Sequence, residues 1–308
     1  MEISIIIPSK DRKAILLQTL EKVIKAIEKV EAEVIVINDS KTENIDINPA
    51  WQHKIKVYNN PKSGVASARN LGASKANANL ILFMDDDMWV SEENILTTIA
   101  LHKKYDKSCC INLNWIYPPE LNKKMKKKQF GRYLHYYGFD SLKGWCRNLV
   151  WNDKDIFPIN HITSQYLSFD KADFDRVGGY NENFPHAGFE DYDLGKRLLK
   201  SAIQPYIYPL SMLFHNEADR MEVKLWLARK RRGGETRKVA VKMGYKELDI
   251  QNGIIKTLLY KILVKCQPIL LKILDVIPNI AAFDPLYFKI MNISLGTAFF
   301  DGYHNKKV

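Results

Sequence analysis

The chain has 308 residues, enough for one large domain with an appendage or for two modest domains. Its 46% hydrophobic and 26% charged content argues against a disordered chain, and its four cysteines (Cys109, Cys110, Cys146, Cys266) make neither a C-x-x-C pair nor a zinc-ligand spacing, so they read as reduced thiols. The net charge of +11 is uneven: residues 1–220 balance to +2, with 30 Lys and Arg against 28 Asp and Glu, whereas residues 221–308 balance to +9, with 16 against 7.

Residues 2–7 predict a first strand, stopped by Pro8-Ser9-Lys10-Asp11-Arg12. Met1-Glu2-Ile3-Ser4 enters that strand without the basic start and apolar core of a signal peptide, so a cytoplasmic protein is expected. From Ala14 to Val30 apolar residues keep helical spacing. Val34-Ile35-Val36-Ile37 reads as a second buried strand ending in Asn38-Asp39-Ser40, and Ile55-Lys56-Val57-Tyr58 as a short third. Gly64-Val65-Ala66-Ser67-Ala68-Arg69-Asn70-Leu71-Gly72-Ala73 is a glycine-led helix start with small residues on one face. Leu80-Ile81-Leu82-Phe83-Met84 then forms a strand buried on both faces, and it runs straight into Asp85-Asp86-Asp87.

Packing does not account for that junction. Three neighbouring like charges repel, and burying them without a counter-charge is costly. A hard divalent cation, which takes oxygen ligands and often holds a substrate's phosphates as well, is the usual remedy. The alternative is an acidic turn left in water. Strand–helix alternation predicts an α/β fold, a doubly wound, mostly parallel sheet whose ligands sit outside the carboxyl ends of the strands. Three strands end in polar, mostly acidic sequence, at Pro8–Arg12, Asn38–Ser40 and Asp85–Asp87, which points to one shared site.

Residues 92–104 predict a helix with Ser91 as N-cap. The stretch 109–160 is less regular. Its run Lys123–Lys128 reads as a solvated loop or a phosphate-binding lid, and its aromatics (Phe130, Tyr133, Tyr136, Tyr137, Phe139, Trp145, Trp151) as core, with one or two free to stack on a sugar ring. Asp173–Glu182 reads as a helix end closed by glycine. Glu190–Leu199 reads as a helix with acids first and bases last, an order that also suits the helix dipole. Tyr206–Phe214 is a further strand-like run, closed by His215-Asn216-Glu217.

Beyond residue 220 the chain changes character. The expected division is a catalytic domain over 1–220 and a basic helical tail over 221–308. In 253–277 an apolar segment carries Lys256, Lys261, Lys265 and Lys272, and the last three fall within about 40° of one another on a helical wheel. Too charged to span, such a segment suits an anionic bilayer surface; a helical pair packed on the domain or on a partner subunit is the other reading.

With these residues in place, the chain resembles the family 2 nucleotide-sugar glycosyltransferases of the Rossmann-like glycosyltransferase A fold, from Ser4 to about Glu217. The resemblance rests on five motifs in order: Ile5-Ile6-Ile7-Pro8-Ser9-Lys10-Asp11-Arg12, where Lys10 replaces a common Asn; Val36-Ile37-Asn38-Asp39-Ser40; Gly64–Gly72; Phe83-Met84-Asp85-Asp86-Asp87; and Gly178-Gly179-Tyr180-Asn181-Glu182 followed by Gly188-Phe189-Glu190-Asp191-Tyr192-Asp193-Leu194. It implies a nucleoside-diphosphate sugar donor, a UDP-sugar before others, and a divalent cation, Mn2+ or Mg2+. It also implies that Asp87 is the direct metal ligand, with Asp85 nearer the ribose and Asp86 in support. His215 is a candidate further ligand. Pro8, Ser9, Asp11, Arg12, Asp39 and Arg69 fall on the donor-binding side, where the two arginines balance phosphate or carboxylate charge. Asp191 matches the family's general base, with Glu190 orienting it or the acceptor, and direct attack opposite the nucleotide inverts the anomeric configuration.

The basic tail leads to the expectation of a lipid-linked acceptor in surface-polysaccharide assembly, at the inner face of the cytoplasmic membrane. A dehydrogenase or a phosphate-loop ATPase is excluded by the lack of G-x-G-x-x-G and G-x-x-x-x-G-K-[ST], and a nucleotidyltransferase by the lack of a Gly-rich loop after the first strand. The rival of another class is a non-catalytic sugar- or nucleic-acid-binding module on a transferase scaffold; the intact Asp85–Asp87 and Asp191 speak against it.

Overall fold

The computed structural model describes residues 1–105 and 108–304. In chain order its elements begin with β1 (Ile3–Ser9), α1 (Lys13–Ala26), β2 (Ala32–Asn38), β3 (Ile55–Asn59), α2 (Val65–Lys75), β4 (Leu80–Met84), β5 (Met88–Trp89) and α3 (Glu92–Lys104). They continue with β6 (Cys109–Ile116), α4 (Pro119–Lys126), α5 (Gln129–Tyr136), α6 (Leu142–Trp145), β7 (Phe157–Pro158), β8 (Tyr166–Asp170), α7 (Lys171–Arg176) and α8 (Phe189–Lys200). The last are β9 (Gln204–His215), α9 (Val223–Lys242), α10 (Ile254–Val276) and α11 (Asp284–His304). They form two compact units: Met1–Pro118, Ser141–Asn183 and Glu190–Asn216 make the first, and Pro119–Asp140, Phe184–Phe189 and Glu217–Val308 the second.

The first unit holds one sheet in the order β3-β2-β1-β4-β8-β6-β9-β5, with β7 beside β9. Strands β1 to β4 pair in parallel, as do β6 and β9, while β8, β5 and β7 run against their neighbours. The predicted α/β sheet, mostly parallel and flanked by helices, is therefore present, with antiparallel strands inserted. β1, β2 and β4 are buried along their whole length, as continuous apolar runs covered on both faces must be. Register brings the polar strand ends together: Ser9 lies opposite Asn38 and Asn38 opposite Asn59.

Four strands escaped the sequence pattern, the two-residue β5 and β7 and the longer β6 and β8. In β6 the residues Asn112 and Asn114 interrupt the apolar run, yet both are buried. Asn112 Nδ2 donates to the carbonyls of Thr163 (2.7 Å) and Tyr166 (2.5 Å), so its polarity is satisfied inside the core. In β8 the buried Ser168 donates to the Ile111 carbonyl at 3.2 Å in the same way. The lysine run is not the loop expected of it. Lys123, Lys124 and Lys126 occupy the exposed side of α4, while Leu121 and Met125, four residues apart, point inward.

In the second unit α9 and α11 approach closely because glycines face each other. A Cβ on Gly302 would stand 1.8 Å from the Arg231 carbonyl oxygen, and one on Gly234 2.3 Å from that of Phe299. Phe130 and Tyr133 of α5 are buried against Trp226 of α9, so these two aromatics are core as expected, whereas Tyr136 is exposed. The Arg132 guanidinium clamps Asp284 through two hydrogen bonds of 2.6 and 2.7 Å.

Helix α2 carries residues of the site described below, and Gly72 sets how closely it lies on β1. A Cβ there would come within 2.2 Å of Ile6 Cγ2, in the middle of the core. Gly72→Ala is expected to destabilise the protein by about 2 kcal/mol, overpacking outweighing the gain of roughly 1 kcal/mol in helix propensity. A lowered urea midpoint at unchanged slope checks this; an unchanged or higher midpoint contradicts it.

Candidate active site

The carboxyl edge of the sheet gathers side chains from the ends of β1, β2, β4 and β9 and from the starts of α1, α2 and α8. The three aspartates after β4 have three different surroundings. Asp86 is buried: Ser9 Oγ donates to it at 2.6 Å, Arg12 pairs with it, and Thr19 donates to its backbone carbonyl at 2.7 Å. Asp87 is more deeply buried, with one oxygen 2.9 Å from Arg12 Nη1 and the other 3.2 Å from His215 Nε2. The backbone N–H of Asn216 donates to the Asp87 carbonyl at 2.7 Å, tying the end of β9 to the triplet. Asp85 is the accessible member, and its Oδ1 lies 3.1 Å from Arg69 Nη2.

Arg69 is the second organising charge. Its side chain is almost wholly buried on α2, and its Nη1 stands 3.1 Å from Glu190 Oε1 and 3.9 Å from Asp191 Oδ1, both on the first turn of α8. Its guanidinium also lies over the Tyr180 ring, 5.1 Å from the centroid. Burial disfavours the charge, but Tyr180 and the carboxylates of Asp85, Asp191 and Glu190 outweigh it and hold the Arg69 proton more firmly than usual. Glu190 is fully enclosed by this pairing, so its place beside Asp191 is more than a helix-dipole preference.

Asp191 is half-buried and held from one side by Ser164. The Ser164 backbone N–H donates to Oδ2 at 3.0 Å, and the Ser164 hydroxyl donates to Oδ1. Burial pushes the Asp191 carboxyl above the usual carboxylate range, against the pull of Arg69 and of the Ser164 hydrogen bonds, and Asp85 adds to the rise. A carboxylate poised in this way is suited to accept a proton.

On the other flank Asp39, just past β2, accepts from Asn60 Nδ2 at 2.6 Å and from the Gly64 N–H at 3.0 and 3.1 Å, and pairs with Lys10 at 3.3 Å. Gly64 can turn its N–H to that carboxylate because it sits at φ +128°, a conformation that a residue with a Cβ adopts only under strain. Asp11, at φ +53°, accepts from Ser40 Oγ at 2.5 Å. Pro8 is buried within β1, opposite Ile37.

All twelve residues singled out in the sequence thus lie at or beside this edge. Both arginines are engaged with carboxylates, the second of the two partners anticipated for them. Sequence reasoning missed Ser164, which stands in no recognisable motif. It quoted Tyr180 and Asn70 without giving either a task. Asn70 clamps the Tyr180 backbone from both sides, donating to its carbonyl at 2.9 Å and accepting from its N–H at 2.8 Å. Trp145, from the aromatic-rich stretch, is about half exposed and packs edge-on against Trp115, which in turn packs on the His215 ring.

The donor set at Asp87 and His215 fits a divalent cation. A carboxylate oxygen and an imidazole nitrogen, both on buried side chains, lie 3.2 Å apart. Oxygen with one imidazole suits a divalent cation other than a thiolate-preferring metal.

Among known proteins, the family described as Glycosyl transferase family 2 matches residues 4–162, just over half of the chain, and that described as N-terminal domain of galactosyltransferase matches residues 156–218. Validoxylamine A glucosyltransferase of Streptomyces hygroscopicus subsp. jinggangensis (strain 5008) is 27% identical over 216 residues, covering 64% of this chain and 51% of that protein. Chondroitin synthase of Pasteurella multocida (strain Pm70) is 24% identical over 247 residues, covering 70% of this chain and 25% of the synthase. The chain therefore spans about half the length of the first relative and a quarter of the second. The crystal structure of GalNAc-T7 with UDP, GalNAc and Mn2+ shares the fold, with a TM-score of 0.53 at 15% identity over 70% of this chain and 43% of that one.

The Ser164 hydroxyl bridges Asp191 and the Tyr180 hydroxyl. Ser164→Ala should therefore raise the Asp191 titration midpoint further, since a donor to the charged form is lost, and should cost roughly 1–2 kcal/mol of stability. Carbon NMR titration of the Asp191 carboxyl checks the direction; a lowered midpoint would show that Ser164 does not support the ionised form.

Proposed function

The chain belongs to glycosyl transferase family 2, and on that premise we propose that it moves a sugar from a nucleoside-diphosphate sugar to a hydroxyl acceptor in a metal-dependent reaction that inverts the anomeric centre. The observation that carries this reading is the reach of Arg69. It ties Asp85 of the acidic triplet to Asp191 on α8, so that the donor-side carboxylates and a base of raised pKa stand in one site.

In this reading Pro8, Ser9, Asp11, Arg12, Asp39 and Asp85 form the donor side, with Asp39 toward the base and Asp85 toward the ribose. UDP is the favoured nucleotide because a protein of the same fold, GalNAc-T7, holds it. Asp87 and His215 are the residues that would hold the cation, Mn2+ or Mg2+. When bound, the cation stabilises negative charge on the departing diphosphate. Asp86, locked by Ser9 and Arg12, fixes the turn that presents Asp87. Asp191 accepts the proton of the acceptor hydroxyl, and Glu190, held by Arg69, keeps that first turn of α8 in place. Attack from the face opposite the nucleotide gives inversion. The acceptor is proposed to be a lipid-linked glycan in surface-polysaccharide assembly at the inner face of the cytoplasmic membrane; the +9 balance of residues 221–308 supports this.

The base works only when ionised. Because burial raises the Asp191 pKa, transfer should fall on acidification at a higher pH than an exposed aspartate would give. Asp191→Asn should remove that limb and lower transfer by about a hundredfold or more, leaving UDP affinity within a few-fold. Asp87→Asn should abolish the Mn2+ dependence of UDP binding in calorimetry. A donor-hydrolysis screen across nucleotide sugars, with and without Mn2+, tests the whole reading. Hydrolysis of one donor in Mn2+ supports it; UDP binding indifferent to metal, with no donor hydrolysed, overturns it.

A further inference from the structure

Helix α10 is covered on one side and bare on the other. It packs on α11 through Tyr260, stacked on Phe300, through Gln267, which donates to the Ser294 carbonyl, and through the buried Leu274. On the opposite side Ile255, Leu258, Ile262, Ile269, Ile273 and Val276 fall within about 60° of one another at 3.6 residues per turn. Their exposure runs from 38% at Ile273 to 85% at Ile255. The stripe is about 32 Å long. Exposed Ile280, Phe283 and Leu286 carry it round the turn into α11. Isolated exposed apolar side chains are ordinary, but a continuous stripe marks a surface that something else covers.

Charge decides what covers it. Lys261, Lys265 and Lys272 are exposed along one edge of the stripe, about 70° from its centre, and Asp275 is the single acid of the helix. Among the described residues no helix is long and apolar enough to cross a membrane, and α10 carries four lysines within its length. A stripe of large aliphatics edged by lysines matches the boundary between acyl chains and phosphate headgroups, where lysine stems extend to place their charges in the polar layer. A protein partner would need an apolar strip edged by acids.

We infer that α10 lies flat in the surface of an anionic bilayer, with the Ile255–Val276 stripe toward the acyl chains and Lys261, Lys265 and Lys272 at the headgroup phosphates. The inference rests on the proposed lipid-linked acceptor for its purpose, but its test reads lipid binding alone. The full chain is sedimented with vesicles of phosphatidylcholine and of phosphatidylcholine mixed with phosphatidylglycerol, at low and high salt. Wild type should bind the mixed vesicles and release in salt. The variant Ile262→Glu/Ile269→Glu should bind on the order of a hundredfold more weakly to both kinds. The variant Lys261→Glu/Lys265→Glu/Lys272→Glu should lose the preference for phosphatidylglycerol, also by on the order of a hundredfold. All five positions are exposed, so both variants should keep the wild-type melting midpoint and donor hydrolysis. Variants that bind like wild type overturn the inference, as does wild-type binding that ignores phosphatidylglycerol. So does a dimer that Ile262→Glu/Ile269→Glu dissociates while vesicles are left unbound. Absent donor hydrolysis beside intact vesicle binding would instead count against the transferase reading.

Discussion

The arrangement of the first unit depends on how negative charge is held at one sheet edge. Two buried guanidiniums divide the task. Arg12, at the start of α1, pairs with Asp86 and Asp87. Arg69, in the second turn of α2, pairs with Asp85, Glu190 and Asp191. Each arginine is thereby a joint between elements distant in sequence: one fastens α1 to the end of β4, and the other fastens α2 and β4 to α8. Withdrawing one partner from a buried pair commonly costs about 3–5 kcal/mol, because the charge left behind has lost both water and counter-ion. The charge network is thus part of what fixes the sheet edge, as well as a lining for a ligand.

That requirement passes down to the backbone. For Arg69 to reach both Asp85 and α8, α2 must lie close to β1, and Gly72 opposite Ile6 permits the approach. For α2 to begin at the right place, its first N–H groups must face the end of β2, and the left-handed turn at Gly64 directs one of them onto Asp39. The small residues of Gly64–Ala73 therefore serve close packing as well as turn formation. Several, Ala66, Ala68 and Ala73, belong to the cluster that also contains Ile6, Phe83 and Tyr180. Core and site share these residues, so a change of volume on one face of α2 is felt at the carboxylates on the other.

How much could be read from the amino acids follows from what each signal encodes. β1, β2 and β4 were legible because both their faces are buried, which demands unbroken apolar runs. β6 and β8 were not, since Asn112 and Ser168 satisfy their polarity inside the core, and a pattern of apolar residues does not report that. The junction Met84-Asp85 announced a site for the same reason that it strains packing. It did not say that three identical side chains would meet three environments. Asp86 became a buried bolt, Asp87 a carboxylate facing His215, and Asp85 an accessible partner of Arg69; neighbours supplied by β1, α1, α2 and β9 made the difference. Ser164 was invisible because nothing local distinguishes it; its importance comes from the fold bringing α8 beside it.

The same physics explains why Asp191 and Glu190, adjacent on one helical turn, have different fates. Both sit near the positive end of α8, which favours ionised carboxylates. Glu190 has the longer arm and turns wholly inward to Arg69, where it is enclosed. Asp191 keeps part of its surface in contact with solvent, lies farther from the guanidinium, and is bracketed by Ser164 instead. Desolvation raises its affinity for a proton while the helix end, Arg69 and Ser164 restrain the rise. Of the two, only Asp191 combines access with elevated proton affinity, so the division of labour between them follows from arm length and depth. An exchange of the two side chains would put the shorter carboxylate opposite Arg69 and the longer one beside Ser164, so neither contact would keep its present geometry.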